Sequence, residues 1–260
     1  MGEENKILLR NEFDGIYKLT LNRPRAHNAL SYDLLLEISN AINTIKKNKR
    51  IKVLIIDANG PSFCSGHDLK EINSKNDKES YKKLFSLCSS VMLSIIKLDI
   101  PVIASVHSTA TAAGCQLVAT CDLAIASDKA RFATPGVNIG LFCSTPMVAL
   151  SRNISKKHSM EMLLTGDLID ALTAKEYGLI NRVVPYRDLN DTVLEIAKKI
   201  LKKSSKTIAT GKKAFYEQLE LGVSEAYKFT SEIMTNNMTE YNAQEGVDAF
   251  LQKRSPVWKD

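Results

Sequence analysis

The chain has 260 residues, of which 44% are hydrophobic and 25% charged, and its formal net charge is +6. This composition is that of an ordinary globular protein with a large core, and it argues against a disordered or fibrous chain. No apolar run is long enough to span a bilayer, and the start MGEENKILLR has neither the apolar stretch of a secretory signal nor the acid-poor composition of a transit peptide.

Five cysteines lie in or beside apolar segments, with no CxxC pair: Cys64, Cys88, Cys115, Cys121 and Cys143. An odd number without metal-ligand spacing predicts free thiols in a reducing compartment, no metal site and a cytoplasmic location. The positive charge would suit nucleic acid, a membrane surface or a polyphosphorylated small molecule. The densest basic run, residues 46–52, lies at an expected helix end, where cations are favoured by the helix dipole. Binding to a membrane or to nucleic acid is therefore not expected.

The N-terminal part predicts a hairpin, a loop and a helix. Residues 5–22 alternate weakly between apolar and polar side chains, with a turn at residues 14–15. The loop 22–30 follows, and Ser31 is placed to cap a helix with apolar residues at helical spacing. The near-continuous apolar run 51–58 is typical of a strand buried on both faces of a parallel sheet.

Two strands that run into small-residue turns mark the functional part of the chain. The segment 99–122, DIPVIASVHSTATAAGCQLVATCD, predicts a buried strand over 102–106 and a helix over about 113–121. The strand 51–58 also ends in such a turn, NGPSFCSGHDLKEI, which opens another helix. Turns of this kind leave free N–H groups at a helix N-terminus. Two of them side by side can aim two backbone N–H groups at one point, which is the geometry of an oxyanion hole.

The rest of the pattern predicts crossover helices and then a helical tail. Polar residues 73–80 predict an exposed, mobile loop, and a long amphipathic helix follows over 81–98. Further short strands at 123–126 and 131–134 complete an alternation that favours a parallel sheet. Beyond Pro185 the pattern is almost entirely helical. We therefore divide the chain into a core, residues 1–195, and a helical C-terminal region, residues 196–260.

Four segments together resemble the crotonase (enoyl-CoA hydratase/isomerase) superfamily: NRPRAHNAL, SFCSGHDLKE, PVIASVHSTATAAGCQLVATCD and AFLQKRSPVW. They occur in the family's order over nearly the whole chain, and FATPGVNIGLFCSTP is similar to one subgroup. The resemblance implies an α/β fold, a spiral of ββα units followed by a helical trimerisation region. It also implies a homotrimer, often a dimer of trimers, that is, a hexamer.

The resemblance further implies an acyl-CoA thioester as ligand, with no tightly bound cofactor. The backbone N–H groups of His67 and Ala113 would polarise the thioester carbonyl, and one such donor contributes roughly 2.7–4 kcal/mol to a transition state. The coenzyme A moiety would be held by Arg25, Ala26, His67, Asp68, Leu69, Lys70 and Ala113. Phe250 and Lys253 would reach its adenine end in this or a neighbouring subunit. An ordinary surface role remains the alternative interpretation of Lys70 and Lys253.

Both glutamates that activate water in the family's hydratases are replaced. The positions that match them hold Gln116 and Gly136, and neither can take a proton at a relevant pH. The His67 imidazole and the Cys143 thiol are the candidate replacements, with an inert buried thiol favoured for Cys143. His107 stands where the family usually has asparagine. Gln116→Glu combined with Gly136→Glu is expected to raise hydration of a short enoyl-CoA.

These departures leave open whether the chain is an enzyme. One hypothesis is a protein of fatty-acid or acyl-CoA metabolism whose chemistry needs mainly the oxyanion hole, such as decarboxylation, thioester hydrolysis or isomerisation with an unusual base. Another is a catalytically silent acyl-CoA binder or regulator. RNA binding through lysine-rich helices is less favoured, because acidic residues are interspersed with the basic ones. Standard hydratase activity is less favoured on chemical grounds.

Overall fold

The computed structural model describes residues 6–259 as a mixed α/β protein. Its strands are β1 (Leu8–Phe13), β2 (Ile16–Leu21), β3 (Val53–Ala58), β4 (Val102–Val106), β5 (Ala110–Thr111), β6 (Leu123–Ser127), β7 (Arg131–Ala133), β8 (Ile169–Asp170) and β9 (Arg182–Val184). Its helices are α1 (Tyr32–Lys47), α2 (Leu69–Lys75), α3 (Lys78–Ile96), α4 (Ala113–Thr120), α5 (Pro146–Asn153), α6 (Lys156–Thr165), α7 (Ala171–Glu176), α8 (Leu189–Leu201), α9 (Ser205–Gln218), α10 (Val223–Met238) and α11 (Tyr241–Leu251). None of these helices is long and apolar enough to cross a membrane.

The main sheet has six strands in the order β1-β2-β3-β4-β6-β9. The hairpin β1–β2 is antiparallel, and each later neighbour is added in parallel, with helices in the connections. The prediction of a parallel sheet with crossover helices is confirmed. A second sheet, β5-β7-β8, lies beside it. Its two-residue strands β5 and β8 were not predicted, because they are too short to show a periodic pattern.

The two faces of the main sheet are covered by different helices, because alternate residues of each strand point to opposite sides. One face carries Leu54 and Ala104 and joins the core that includes α1, α3 and α4. The opposite face carries Ile55 and Ile103, which pack with Val193 on α8. The apolar run in β3 therefore reflects burial on both faces, as the sequence predicts.

Capping residues set the start of α1, the end of α2 and the start of α3. The last two show that one prediction from the sequence is wrong. The Ser31 side chain accepts a hydrogen bond from the Leu34 N–H, which confirms the predicted cap of α1. The predicted loop at 73–80 is wrong as to structure, although most of these residues are exposed. α2 ends at the left-handed Asn76 (φ 36°), and the Asp77 side chain caps α3 by accepting from the Ser80 N–H at 2.9 Å. Polar residues here act as helix caps.

The C-terminal region is helical as predicted, from α8 to α11. The predicted division at residues 195 and 196 falls inside α8. Val193 and Ala197, on either side of it, are buried against the same face of the sheet. The division stays a prediction from the sequence, and α8 itself packs on the core.

Candidate functional site

Two turns that are far apart in sequence lie together at the carboxyl ends of β3 and β4. The Phe63 N–H donates to the Thr109 carbonyl at 2.9 Å, and the Thr111 N–H donates to the Cys64 carbonyl at 2.9 Å. The Thr111 hydroxyl also donates to the Ser65 carbonyl at 3.1 Å. These bonds hold the segment that leads to His67 against the segment that leads to α4.

The backbone around His67 leaves its N–H free. Leu30 donates to the Gly66 carbonyl at 2.7 Å and accepts from the Asp68 N–H at 3.3 Å, so the groups on either side of His67 are used. Within residues 6–259, neither the His67 N–H nor the Ala113 N–H, which begins α4, has an acceptor. A Cβ at Gly66 (φ +97°) would lie only 3.3 Å from the Ala113 nitrogen. Glycine therefore lets the two turns meet.

The start of α4 is held by close backbone contacts. A Cβ at Gly114 would lie 2.2 Å from the Cys64 carbonyl oxygen, so only glycine permits this approach. Ala112, just before the helix, has φ 50° and ψ −120°, and its N–H donates to Ala133 at 2.9 Å. Such a conformation costs an alanine on the order of 1–3 kcal/mol and persists only where the surroundings enforce it. The second sheet supplies that constraint through β7.

Gln116 lies on the first turn of α4 and is 5% exposed. Its Oε1 is buried and has no hydrogen-bond partner among residues 6–259. An unsatisfied buried amide oxygen costs about 1–3 kcal/mol, and such groups are uncommon in native proteins. An unpartnered buried oxygen thus lies at the residue that the resemblance matches to the first hydratase glutamate.

Gly136 lies in the 3₁₀ helix Pro135–Ile139, and the segment after this helix folds back over Gly136. The Leu141 N–H donates to the Gly136 carbonyl at 2.9 Å. A Cβ at position 136 would lie 2.6 Å from the Leu141 carbonyl oxygen and 2.9 Å from Cys143 Sγ. The space that a second acidic side chain would need is thus filled by the 141–143 segment.

The two candidate replacement groups are both buried. The His67 ring packs edge-on against Phe85, with centroids 5.2 Å apart, and neither ring nitrogen has a hydrogen-bond partner in the described part of the chain. Burial lowers the pKa of His67, so its ring is neutral at neutral pH. Burial raises the pKa of the Cys143 thiol, which disfavours the reactive thiolate. The predicted free thiols are confirmed, since all five cysteines are unpaired and buried.

Asp68 is already engaged by its own surroundings. Its carboxylate accepts from the Lys70 and Glu71 N–H groups at the start of α2 and pairs with the Arg23 guanidinium at 2.8 Å. Partial burial favours the neutral acid, but Arg23 and the backbone donors outweigh it and hold the pKa of Asp68 below its ordinary value. Asp68 is therefore an ionised helix cap, and its carboxylate faces protein donors.

Two residues hold the loop 22–30 against this site, and the sequence analysis predicted a role for neither of them. Arg23 bridges to Asp68. Asn28 is fully buried and donates to the carbonyls of Asn59 and Ser62 at 2.7 and 2.8 Å. Both lie in the NRPRAHNAL segment, so the segment was recognised, but these contacts depend on side-chain directions that a pattern does not give.

The remaining predicted ligand residues lie in two places. Arg25 and Ala26 form a 3₁₀ turn next to Arg23, and Leu69 and Lys70 lie exposed at the start of α2. Phe250, by contrast, is 82% exposed at the end of α11, and Lys253 follows it. No hydrogen bond or ion pair within residues 6–259 joins those last two residues to the turns around His67 and Ala113. In the single chain, Arg25, Ala26, Leu69 and Lys70 therefore lie near the site, whereas Phe250 and Lys253 form no such bond with it.

Comparison with known proteins gives one consistent result. A family model described as enoyl-CoA hydratase/isomerase matches residues 11–260. The rat enoyl-CoA hydratase domain-containing protein 3 is 47% identical over 255 residues, covering 98% of this chain and 85% of the rat protein. A solved enoyl-CoA hydratase from Mycobacterium smegmatis has a TM-score of 0.96 and 47% identity, covering 98% of this chain and 99% of that one. The solved human domain-containing protein 3 has a TM-score of 0.95 and 45% identity, covering 97% and 100%.

The relatives also correct the expected cytoplasmic location. The rat, mouse and human proteins are named as mitochondrial, which points to mitochondria rather than the cytoplasm. The sequence argument failed because free thiols indicate only a reducing compartment. That criterion does not separate the cytoplasm from the interior of a mitochondrion. The first five residues, on which the leader argument also relied, lie outside the described part of the chain.

Proposed function

The chain belongs to the enoyl-CoA hydratase/isomerase (crotonase) family and has its fold, and from this membership we propose that it binds acyl-CoA thioesters through an oxyanion hole. In this proposal the backbone N–H groups of His67 and Ala113 donate to the thioester carbonyl oxygen. This proposal rests on two backbone N–H groups that have no acceptor among residues 6–259, on turns that glycine at position 66 allows to approach each other closely.

The coenzyme A moiety would run along the loop 22–30 and the start of α2. Arg25 and Lys70 are exposed there and would meet the negative phosphates of the ligand. Ala26 and Leu69 would supply apolar contacts. Asp68 would act indirectly, since its carboxylate is held by Arg23 and the helix N-terminus. Phe250 and Lys253 would contribute to the adenine end from a neighbouring subunit, because this chain alone leaves them exposed, at the end of α11 and just after it.

The reaction proposed for this site is not standard hydration. Gln116 cannot act as a base, and the 141–143 segment fills the space around Gly136. An oxyanion hole alone still stabilises an enolate-like oxygen, which suits decarboxylation, thioester hydrolysis or an isomerisation with another base. The second candidate function is silent binding of acyl-CoA. The buried neutral His67 and the protonated Cys143 favour it, because neither is poised for proton transfer.

A homotrimer, alone or as a dimer of trimers, is part of the same proposal. α10 is a helix of 16 residues with no buried residue in the single chain. Four of its apolar side chains lie on one face and are 46–76% exposed: Val223, Tyr227, Met234 and Met238. Helices in globular proteins gain most of their stability from packing such a face. A neighbouring subunit would provide that packing.

The test separates binding from turnover. Calorimetric titration should give a Kd for butyryl-CoA that is about tenfold lower than for S-butyl-CoA, a thioether without the carbonyl, because two backbone hydrogen bonds are lost in the analogue. Equal affinities would contradict the oxyanion hole. Turnover of crotonyl-CoA, followed by loss of the enone absorbance, should remain far below the rates of about 1–10³ s⁻¹ typical of enzymes. Turnover in that range would show that another group replaces the glutamates.

A further inference from the structure

Three segments that are far apart in sequence meet at the edge of the main sheet where β2 and β3 begin. They are residues 12–15 around the β1–β2 turn, residues 46–52 between α1 and β3, and residues 195–203 at the end of α8. The Lys52 N–H donates to the Gly15 carbonyl at 2.7 Å. A Cβ at Gly15 would lie 3.3 Å from the Leu201 side chain, so the end of α8 lies against this turn.

These three segments carry the excess positive charge of the chain. Their acidic residues are Glu12, Asp14 and Glu195. Their basic residues, which we call the basic edge, are Lys46, Lys47, Lys49, Arg50, Lys52, Lys198, Lys199, Lys202 and Lys203. Nine basic against three acidic residues give the same excess as the formal net charge of the whole chain, +6. The remaining residues together therefore carry no net charge.

Little of this charge is neutralised by neighbouring carboxylates. Arg50 lies 4.0 Å from Glu12, and Lys199 pairs with Glu195 at 2.6 Å. The exposed lysines of the basic edge that form no ion pair with any residue in 6–259 are Lys46, Lys47, Lys49, Lys198, Lys202 and Lys203. The ends of α1 and α8 attract cations, but each helix end contributes only about half a negative charge. A strong positive potential therefore remains at this edge.

The composition of the basic edge favours an extended anionic surface over a nucleic acid. The three segments have no exposed aromatic side chain on which unpaired bases could stack. They contain only one arginine, the residue type that binds single phosphates through two hydrogen bonds. Lysines spread over several segments suit an array of negatively charged lipid headgroups, which attracts each basic residue near it.

We propose that the basic edge binds the surface of a membrane that contains anionic phospholipids. The attraction is electrostatic, and no helix enters the hydrocarbon. No membrane binding is expected from the run 46–52 alone, but the fold adds the end of α8 to it. The turns with His67 and Ala113 follow the carboxyl ends of β3 and β4, at the opposite edge of the sheet. In the bound protein these turns therefore face the solution.

Sedimentation of the whole protein with lipid vesicles tests the proposal. Vesicles of phosphatidylcholine mixed with phosphatidylglycerol should pellet the protein, and vesicles of phosphatidylcholine alone should not. Binding at about 0.1 M salt should be lost at about 1 M, where the screening length falls from about 10 to about 3 Å. Lys198→Gln combined with Lys202→Gln and Lys203→Gln should lower the partition coefficient by about a hundredfold, because each lysine near an anionic surface contributes roughly a fivefold factor.

Lys156→Gln combined with Lys157→Gln and Lys175→Gln is the matched control, since it removes the same charge from exposed lysines of α6 and α7. It should leave vesicle binding nearly unchanged. Equal weakening by both triple variants would overturn the proposal, because net charge and not the basic edge would then be responsible. Failure to pellet with anionic vesicles, or equal pelleting with neutral ones, would overturn it as well. A polyuridine oligomer that binds at the basic edge while anionic vesicles do not would assign this edge to nucleic acid instead.

Discussion

A side chain at position 136 has no room in this fold. The Leu141 carbonyl oxygen and Cys143 Sγ would lie 2.6 and 2.9 Å from its Cβ, and the Leu141 carbonyl cannot move without moving the backbone of the 136–143 segment. The pair Gln116→Glu with Gly136→Glu, expected from the sequence to raise hydration of a short enoyl-CoA, must therefore first displace this segment. At this residue the packing of the 141–143 segment would itself oppose an added glutamate.

Gly136→Ala should accordingly destabilise the protein by about 1–3 kcal/mol, the usual cost of overpacking. Gly211→Ala is the matched control, because no atom lies within 4 Å of the added Cβ in α9. It should stabilise the protein by about 0.5–1 kcal/mol, since alanine loses less entropy than glycine in a helix. Urea unfolding at fixed protein concentration measures both. Equal effects of the two substitutions would show that the 141–143 segment yields freely.

His67 should make the protein less stable in mild acid. Burial lowers its folded-state pKa below the ordinary value of 6.5, so the unfolded chain binds a proton more readily. The free energy of unfolding should therefore fall as the pH drops below 6.5 toward the folded-state pKa. His67→Phe should flatten this part of the profile, because phenylalanine does not titrate. A profile equally steep in both proteins would assign the acid sensitivity to other groups.

At the scale of elements, a buried lysine of α9 contacts the core. Lys212 Nζ donates to the carbonyls of Ile95 and Ile100 at 3.1 and 3.0 Å and pairs with Asp122 at 2.7 Å. Asp122 also accepts from the Tyr216 hydroxyl at 2.8 Å. The Lys212 ammonium and the Tyr216 hydroxyl thus join α9 to the segments that follow α3 and α4.

Lys212→Met should cost about 3 kcal/mol, at the lower end for a broken buried ion pair, because Asp122 keeps other donors. Lys213→Met is the control, since Lys213 is 71% exposed and its ion pair with Glu217 is long, at 3.9 Å. Exposed pairs of this kind contribute about 0–1 kcal/mol. Urea unfolding compares the two variants. A loss below about 1 kcal/mol in Lys212→Met would show that α9 is held mainly by other contacts.

Most elements follow from the sequence, and the exceptions have physical reasons. β3 and α4 lie within two residues of their predicted bounds, and α1 begins directly after its predicted cap, Ser31. The loop predicted at 73–80 is wrong because Asn76 and Asp77 act as caps within a helix pair. The packing of Cys143 against Gly136 was not predictable, since it depends on how the 141–143 segment folds back. The positions of the missing acids came from the resemblance.

At the scale of the whole molecule, the exposed face of α10 is the main feature that a single chain leaves unexplained. Its apolar residues at 223, 227, 234 and 238 fall on one side of the helix. Tyr227→Glu with Met234→Glu should shift the protein toward monomers in sedimentation velocity, because two charges would be buried in the contact. Lys228→Glu places the same charge on another face and should leave the assembly unchanged. A monomeric wild-type protein would contradict the proposed trimer.

Backbone hydrogen bonds between residues about 46 positions apart in the sequence, such as Cys64 and Thr111, join the two turns of the site. The Ala112 N–H also donates to the Ala133 carbonyl. Loops of this length close slowly, because their entropy is lost before the contacts form. Because the Ala133 carbonyl holds Ala112 in place, we expect the N–H groups of His67 and Ala113 to reach their final positions only after Ala133 has been synthesised. A nascent chain would pass through a long period with its sheet begun and its binding site not yet assembled.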